Sequence, residues 1–395
     1  MDPRKNPYTP SAGQRPAYLA GRDEDVENLR LLIERLADGR QERSVIYTGL
    51  RGTGKTVLLG EFEALAREAG WFSASAEVGR QGDFRVTFGR LASQALRSMS
   101  LKDRMKSRAK AALGVVHAFS ALAPGGVKLA LDVAATSGKA DSGDPEEDLA
   151  ELLAEVGEVA ALGGTGVLFL VDEMQNLDLA ALSAICMAFH RVGQRSLPVA
   201  LGGAGLPSLR RLLLEAKPYA ARLFRYEELG PLPDGVARIA VVRPAAVRQV
   251  GYQEPALDLI VKSSGGYPYF LQEYGRIVWN EAERSPITSA DVIGVREIVT
   301  DQLASDFFSP QFEIASDAEQ RYLMAMADLG DGPFRSSEVN RRLGHTSRSG
   351  SSQERHNLIK KELLWSPRRG LVDFTVPGFA EFLRTRYPFA ADDAA

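Results

Sequence analysis

Gly49-Leu50-Arg51-Gly52-Thr53-Gly54-Lys55-Thr56 satisfies the pattern G-x-x-x-x-G-K-S/T at every fixed position. Its flanks decide what it means. Ser44-Val45-Ile46-Tyr47-Thr48 before it reads as a short buried strand, and Val57-Leu58-Leu59 through Glu68 after it as a helix. A glycine-rich turn in that setting aims backbone N–H groups, and the positive end of the helix, at one point in space. This is a phosphate-binding loop. Its expected nucleotide contacts are Gly49, Leu50, Arg51, Gly52, Thr53, Gly54, Lys55, Thr56 and Val57. Lys55 is expected to reach the β- and γ-phosphates of ATP, and the Thr56 hydroxyl to hold Mg²⁺. The alternative is a glycine-rich turn without a ligand, and motif and context together favour the loop.

Val167-Leu168-Phe169-Leu170-Val171-Asp172-Glu173 is the second deciding element. Five apolar residues in a row describe a strand buried on both faces, as in a parallel sheet. The strand ends in two adjacent carboxylates. Behind a complete phosphate loop, Asp172 is expected to hold Mg²⁺ and Glu173 to polarise the water that attacks the γ-phosphate. Alone, an apolar run ending in Asp-Glu carries little information.

Composition sets outer limits. The chain has 395 residues, 45% apolar and 25% charged, enough for two or three globular domains. Its single cysteine, Cys186, excludes an internal disulfide and reads as a small buried hydrophobe. No Cys/His cluster has metal-ligand spacing. The start Met1-Asp2-Pro3-Arg4-Lys5-Asn6-Pro7 has no apolar core, so no signal peptide is expected. Ala111 to Ala135 is interrupted by His117, Pro124, Lys128 and Asp132, which rules out a membrane span there. A cytoplasmic protein is the expectation.

Further elements follow from periodicity. Residues 1–20 form a proline-containing arm. Val26, Leu29, Leu32, Ile33 and Leu36 recur at helical spacing from Asp23 to Leu36. Gly70 to Val78 reads as a strand and Asp83 to Ser98 as a helix. An insertion near 115–135 reads as a β-hairpin. Phe119-Ser120-Ala121-Leu122-Ala123 is one arm, and the strictly alternating Val127 to Val133 is the other, around Pro124-Gly125-Gly126. Glu146 to Leu162 and Leu182 to Val192 are helices. Leu197 to Gly203 is a strand, and Leu223 to Leu229 is read as the last of the sheet. Strands alternating with helices imply parallel βαβ crossovers. The expected domains are an arm at 1–20, an α/β nucleotide-binding core at 21–232, a helical lid at 233–305 and a final module at 306–395.

In that module Ser316-Asp317-Ala318-Glu319 is a capping box opening a helix that Gly330 closes. Ser337–Leu343 and Ser352–Trp365 read as two more helices. Leu371–Val376 reads as a strand after the turn Ser366-Pro367-Arg368-Arg369-Gly370, and Phe379–Arg386 as a closing helix. Three short helices, a basic-tipped ribbon and a helix describe a winged helix-turn-helix. From Arg335 to Arg386 eleven Lys/Arg stand against five Asp/Glu, a balance of +6, which leaves −9 for the rest of a chain of net charge −3. A basic module on an acidic body points to double-stranded DNA bound through 335–386. Winged helices also serve as protein contacts, and a basic surface can be merely solvated.

With these pieces in place the chain resembles the AAA+-type ATPases of the archaeal and STAND-like kind, origin-recognition initiator ATPases among them. Gly49–Thr56 and Val167–Glu173 are similar to their Walker A and Walker B elements. Gly21-Arg22-Asp23-Glu24 is similar to their adenine-side box, and Gly265-Gly266-Tyr267-Pro268-Tyr269-Phe270-Leu271 to their Gly-x-Pro lid motif. The resemblance implies an α/β P-loop NTPase with a parallel sheet and a helical lid, plus the winged helix. It implies ATP and Mg²⁺ as ligands, Gly21, Arg22 and Pro268 near the nucleotide, and a possible homo-oligomer.

The chain also departs from that pattern. Leu201-Gly202-Gly203-Ala204-Gly205, after the Walker B element, has no Asn, Thr or Ser at its tip, where initiator ATPases place a polar sensor. The lid motif has no arginine. Arg222 or Arg225 is open to the part of an arginine finger acting on a neighbouring subunit, or to that of a surface arginine. Gln175 is open to water positioning or to helix capping. The expected function is a Mg²⁺-dependent ATPase whose nucleotide state controls DNA binding or assembly, with Glu173, Lys55 and Arg222 as the catalytic set. The alternative is a nucleotide-gated switch of little turnover that holds a protein partner.

Overall fold

The computed structural model describes residues 1–11, 13–80, 82–124, 133–330, 332–345 and 350–390. The chain divides into two compact units. One comprises Arg22–Gly49 and Lys55–Leu229; the other comprises Met1–Gly21, Leu50–Gly54 and Gly230–Ala395.

The first unit runs α1 (Asp23–Ala37), β1 (Ser44–Thr48), α2 (Lys55–Glu68), β2 (Phe72–Glu77), α3 (Phe84–Ser100), α4 (Asp103–Ala121), α5 (Pro145–Leu162) and β3 (Val167–Asp172). It continues with a 3₁₀ turn (Met174–Asn176), α6 (Leu179–Gln194), β4 (Val199–Gly205), α7 (Ser208–Ala216), α8 (Ala220–Leu223) and β5 (Phe224–Glu228). The five strands form one parallel sheet in the order β2-β3-β4-β1-β5. Every residue of β3 and β4 is buried, as the unbroken apolar run of β3 anticipates.

Alternation sorts the faces of this sheet. Val167, Phe169 and Val171 join the core built with α3, α4, α5 and α6. Leu170 points the other way, toward the side where Leu59 and Phe62 of α2 pack. Phe62 also lies against Tyr47 of β1, ring centroids 5.5 Å apart. Cys186 of α6 is fully buried in the core, and burial pushes its thiol up to about 12, so it behaves as the small hydrophobe expected.

The hairpin reading of 115–135 needs correcting. Phe119, Ser120 and Ala121 are not a strand arm: they end α4, a helix of 19 residues that the sequence reading does not assign. The reason is periodicity. Ala109, Ala112, Val116 and Phe119 are buried at helical spacing, and alanine favours the helix. The other arm, apart from its last residue Val133, lies outside the described residues, which omit 125–132.

The second unit contains α9 (Asp234–Ala246), α10 (Glu254–Ser264), α11 (Pro268–Glu281), α12 (Ser289–Gly294), α13 (Arg296–Leu303), a π-helical turn (Ala304–Phe308) and α14 (Ser309–Glu313). It ends with α15 (Asp317–Asp328), β6 (Phe334–Arg335), α16 (Ser336–Arg342), α17 (Ser352–Lys360), β7 (Leu364–Trp365), β8 (Leu371–Phe374) and α18 (Phe379–Arg386). The last elements form a winged helix-turn-helix with a small antiparallel sheet of order β6-β8-β7. The capping box at Ser316 is present, with the Ser316 N–H donating to Glu319 Oε2 at 2.8 Å. The N-terminal arm is anchored in this unit by Tyr8, which is buried and donates to the Val241 carbonyl at 2.6 Å.

The third helix is shorter than the Ser352–Trp365 reading. It ends at Lys360, because Glu362 turns the chain with φ +58° and Leu364–Trp365 pair with β8. Strand β6 has no counterpart in the sequence reading; at two residues it is too short to show a period.

Candidate nucleotide-binding site

The phosphate loop begins where β1 ends. Thr48 lies opposite Gly205 of β4, and the Gly49 N–H donates to the Gly205 carbonyl at 3.1 Å. Gly52 and Gly54 take φ of +79° and +90°, backbone conformations that only glycine adopts without strain. Helix α2 starts at Lys55, whose side chain is buried and donates from Nζ to the Gly49 carbonyl at 2.9 Å. The ammonium is thus folded back over its own loop.

β3 carries the two carboxylates to the same place. The Thr56 hydroxyl donates to Asp172 Oδ2 at 2.5 Å, which joins the start of α2 to the end of β3. Asp172 Oδ1 accepts the Glu173 N–H at 2.8 Å. Glu173 adopts the left-handed conformation, φ 54° and ψ 38°. For a residue with a side chain this costs on the order of 1 kcal/mol and persists only where the surroundings impose it. The result is a turn that lifts the Glu173 side chain away from the strand direction.

The donor set suits Mg²⁺. A hydroxyl and a carboxylate are hard oxygen ligands, and Mg²⁺ takes one or two such protein groups while keeping waters and substrate phosphates. Among the described residues no group of three or more His, Cys, Asp and Glu is placed to hold a metal.

Residues 18–201 match the AAA ATPase domain family. This region is an AAA ATPase domain. Residues 305–383 of the chain, the winged-helix part, match a family described only as a domain of unknown function (DUF8462). No curated protein matches the sequence. Among solved structures, the Walker-type ATPase paby2304 of Pyrococcus abyssi aligns with 94% of this chain and 97% of its own, at TM-score 0.54 and 14% identity. The Aeropyrum pernix Orc1 protein in complex with DNA aligns over 95% and 94%, at TM-score 0.46 and 16% identity. The Thermotoga maritima RuvB Holliday junction branch migration motor aligns over 94% and 98%, at TM-score 0.45 and 17% identity. The Pyrococcus likeness is one of fold, and it agrees with the AAA+ P-loop architecture described above.

The AAA domain thus brings Gly49, Lys55, Thr56, Asp172 and Glu173 together. Arg22 caps the start of α1 close to Asp25. Burial pushes the Arg22 guanidinium down and the Asp25 carboxyl up, and the charge of each opposes the shift of the other. Arg222, beyond the matched region, is exposed on α8 at the start of β5. There it borders a concavity of about 400 Å³ with Arg43 and His190. Since Ser44 pairs with Phe224 and Thr48 with Glu228, the length of β1 separates Arg222 from the loop. Five residues of strand span about 16 Å.

The middle of the motif has partners of its own inside the second unit. Arg51 Nη2 forms an ion pair with Glu362 Oε2 at 2.6 Å, and its N–H donates to the Thr375 carbonyl at 3.2 Å. The Gly52 carbonyl accepts from Tyr269 N–H at 3.3 Å. Tyr269 is the second residue of α11, directly after Pro268, and its ring stacks on Phe307 of the π-helical turn at 5.0 Å. The Thr375 hydroxyl in turn donates to the carbonyl of Glu362 at 2.5 Å and braces its left-handed turn. Glu362 and Thr375 are invisible from sequence. Nothing in the local pattern distinguishes Glu362 from an exposed helical glutamate.

The cations of the winged helix are unequal. Lys361 pairs with Glu319, Arg342 with Asp328, Arg384 with the Ala327 and Gly330 carbonyls, and Arg355 with the Ser336 hydroxyl. Arg335, Arg341, Lys360, Arg368, Arg369 and Arg386 are exposed. The two consecutive arginines, Arg368 and Arg369, stand at the turn of the β7–β8 ribbon.

Proposed function

We propose that this chain is a Mg²⁺-dependent ATPase whose nucleotide state controls DNA binding or assembly through the winged helix. The observation that carries the reading is the 2.5 Å bond between Thr56 and Asp172, with Glu173 next in the chain. ATP supplies the phosphoanhydride bond, and Mg²⁺ the charge neutralisation, that this chemistry needs. Thr56 and Asp172 would hold the metal. Lys55 exchanges the Gly49 carbonyl for phosphate oxygens and carries positive charge to them. Glu173 takes the proton of the attacking water. The deciding experiment is phosphate release from ATP by the full chain, with and without duplex DNA, beside Lys55→Ala. Turnover absent from Lys55→Ala supports the reading; its absence in both proteins leaves a nucleotide-gated binding module.

Arg222 fits an action in trans. Its distance from the loop of its own chain along β1 rules out direct service there, and its exposure leaves it open to a neighbouring copy. Arg222→Ala and Lys55→Ala are each expected to lose turnover, and their mixture to regain part of it at interfaces that combine an intact loop with an intact arginine. A mixture as inactive as its components removes Arg222 from the catalytic set.

For the DNA contact, the exposed Arg368 and Arg369 are the first candidates. The double change Arg368→Ala with Arg369→Ala is expected to weaken duplex binding for all sequences alike. It should also lower the slope of log affinity against log salt by about 2, one for each phosphate that an arginine no longer neutralises. Unchanged affinity and slope would move the DNA-binding surface elsewhere or assign the winged helix to a protein partner.

A further inference from the structure

The tip of β4 has no polar side chain, yet a polar group stands there. A Cβ built on Gly205 would lie 2.5 Å from Oε1 of Gln175 and 2.8 Å from Cδ2 of Leu209. The space that a sensor side chain would fill is therefore already taken, by the amide of a residue on the 3₁₀ turn after β3. Gln175 uses both ends of that amide. Its Oε1 accepts the Leu206 N–H at 3.0 Å, and its Nε2 donates to Oε2 of Glu173. Because the carbonyl end is fixed by a backbone N–H, the NH₂ end must face the carboxylate, and the amide has only one sensible orientation.

The turn that presents Gln175 is itself held. Asn176 Nδ2 donates to the Val78 carbonyl at 2.8 Å, and the N–H groups of Asn176 and Leu177 donate to Glu173 and Met174 carbonyls at 3.0 and 3.1 Å. Met174 is buried at the point where a Cβ on Gly203 would come within 2.5 Å of its sulfur. A continuous path results within one compact unit. It runs from the Glu173 carboxylate through the Gln175 amide to Leu206, then by the peptide link to Gly205, whose carbonyl receives the Gly49 N–H of the phosphate loop.

We infer that Gln175 is the positioning residue for Glu173, supplying from the 3₁₀ turn the polar contact that β4 lacks at its tip. This rests on the ATPase reading above. The bond engages Oε2 of Glu173, orients the carboxylate in its left-handed setting and directs Oε1 toward the attacking water.

The test uses the full chain with Gln175→Ala, the isosteric Gln175→Glu, and Glu173→Gln. ATP turnover is followed, a fluorescent ATP analogue reports binding, and hydrogen exchange is read on the peptide containing Leu206. Gln175→Ala is expected to lower kcat at least about tenfold with analogue affinity within about twofold. Exchange at Leu206 should accelerate at least about tenfold, since its N–H has lost its acceptor. Gln175→Glu keeps an acceptor for Leu206 but sets carboxylate against carboxylate. It should therefore retain slow exchange and lose turnover. If Gln175→Ala does not fold, Gln175→Glu alone decides. Turnover unchanged in the Gln175 variants, while Glu173→Gln is inactive, overturns the inference about Gln175. Full activity of Glu173→Gln overturns the role of Glu173 instead. Unaltered Leu206 exchange in Gln175→Ala overturns the inference whether or not the parent hydrolyses ATP.

Discussion

Glu173→Gln binds ATP within about twofold of the parent protein and releases phosphate about 10²-fold more slowly or worse. Both halves of that expectation come from the geometry. Glutamine has the same shape and keeps an oxygen that can accept from Gln175 Nε2, so the turn after β3 retains its bracing. Asp172 and Thr56, which carry the metal contact, are untouched. What is lost is the capacity to take a proton from water, and general-base catalysis contributes about 10²- to 10⁴-fold. Single-turnover phosphate release, paired with titration of a fluorescent ATP analogue, measures the two quantities separately. A variant as fast as the parent would remove Glu173 from the reaction. A variant that also fails to bind would make Glu173 part of the nucleotide pocket.

Lys55→Ala has the larger effect on binding. The ammonium is buried and already turned toward the loop, with Gly49 as its acceptor. Removing it takes away a charge-assisted hydrogen bond, typically about 1.5–3 kcal/mol, and leaves the phosphate charge without its nearest cation. The dissociation constant for ATP is expected to rise by about 10²-fold. Thermal denaturation gives a second reading of the same quantity. Nucleotide at 100 times its dissociation constant stabilises the parent by about 2.7 kcal/mol, and at the same concentration should barely move the variant. Without nucleotide the two proteins should melt close together, because Lys55 sits in the first turn of α2 and alanine is a good helix former. A nucleotide-induced shift equal to that of the parent would show that the loop binds phosphate without Lys55.

Much of this is legible in the sequence, because the nucleotide site is built from short local rules. Gly49–Thr56 states its own geometry, and the unbroken apolar run of Val167–Val171 shows that β3 is interior to the sheet. The chain from Ser100 to Ala121 is harder. Many of its buried residues are small, alanines, Gly114 and Ser120 among Met105, Leu113, Phe119 and two valines, and lysines and His117 interrupt them, so a helix of 19 residues presents a weak apolar stripe. Gln175 stands out as a polar residue near Asp172, but its partner Leu206 lies 31 positions away. Only the pairing of β3 with β4 brings the two together. Glu362 is separated from Arg51 by 311 positions and makes its ion pair from a turn that the helical pattern of its neighbours conceals. For Gln175 and Glu362 the missed feature is a long-range pairing, and no periodicity within one segment encodes it.

The placement of Leu50–Gly54 bears on how this protein can be dissected. A fragment ending at Leu229 contains all eight residues of the phosphate motif and every strand of the parallel sheet. It lacks the Thr375 carbonyl, the Glu362 carboxylate and the Tyr269 amide, which hold the backbone and side chain of Arg51 and the carbonyl of Gly52. Such a fragment is complete by alignment and incomplete by bonding. Its affinity for nucleotide describes a loop with a free middle, whereas the intact chain presents one whose middle is tied down. Modular boundaries drawn on sequence families alone cut through this arrangement, since the AAA match covers 18–201 and the second match 305–383. A piece that keeps these bonds must extend beyond Thr375, through α18, whose Phe379 and Leu383 are buried in the same core.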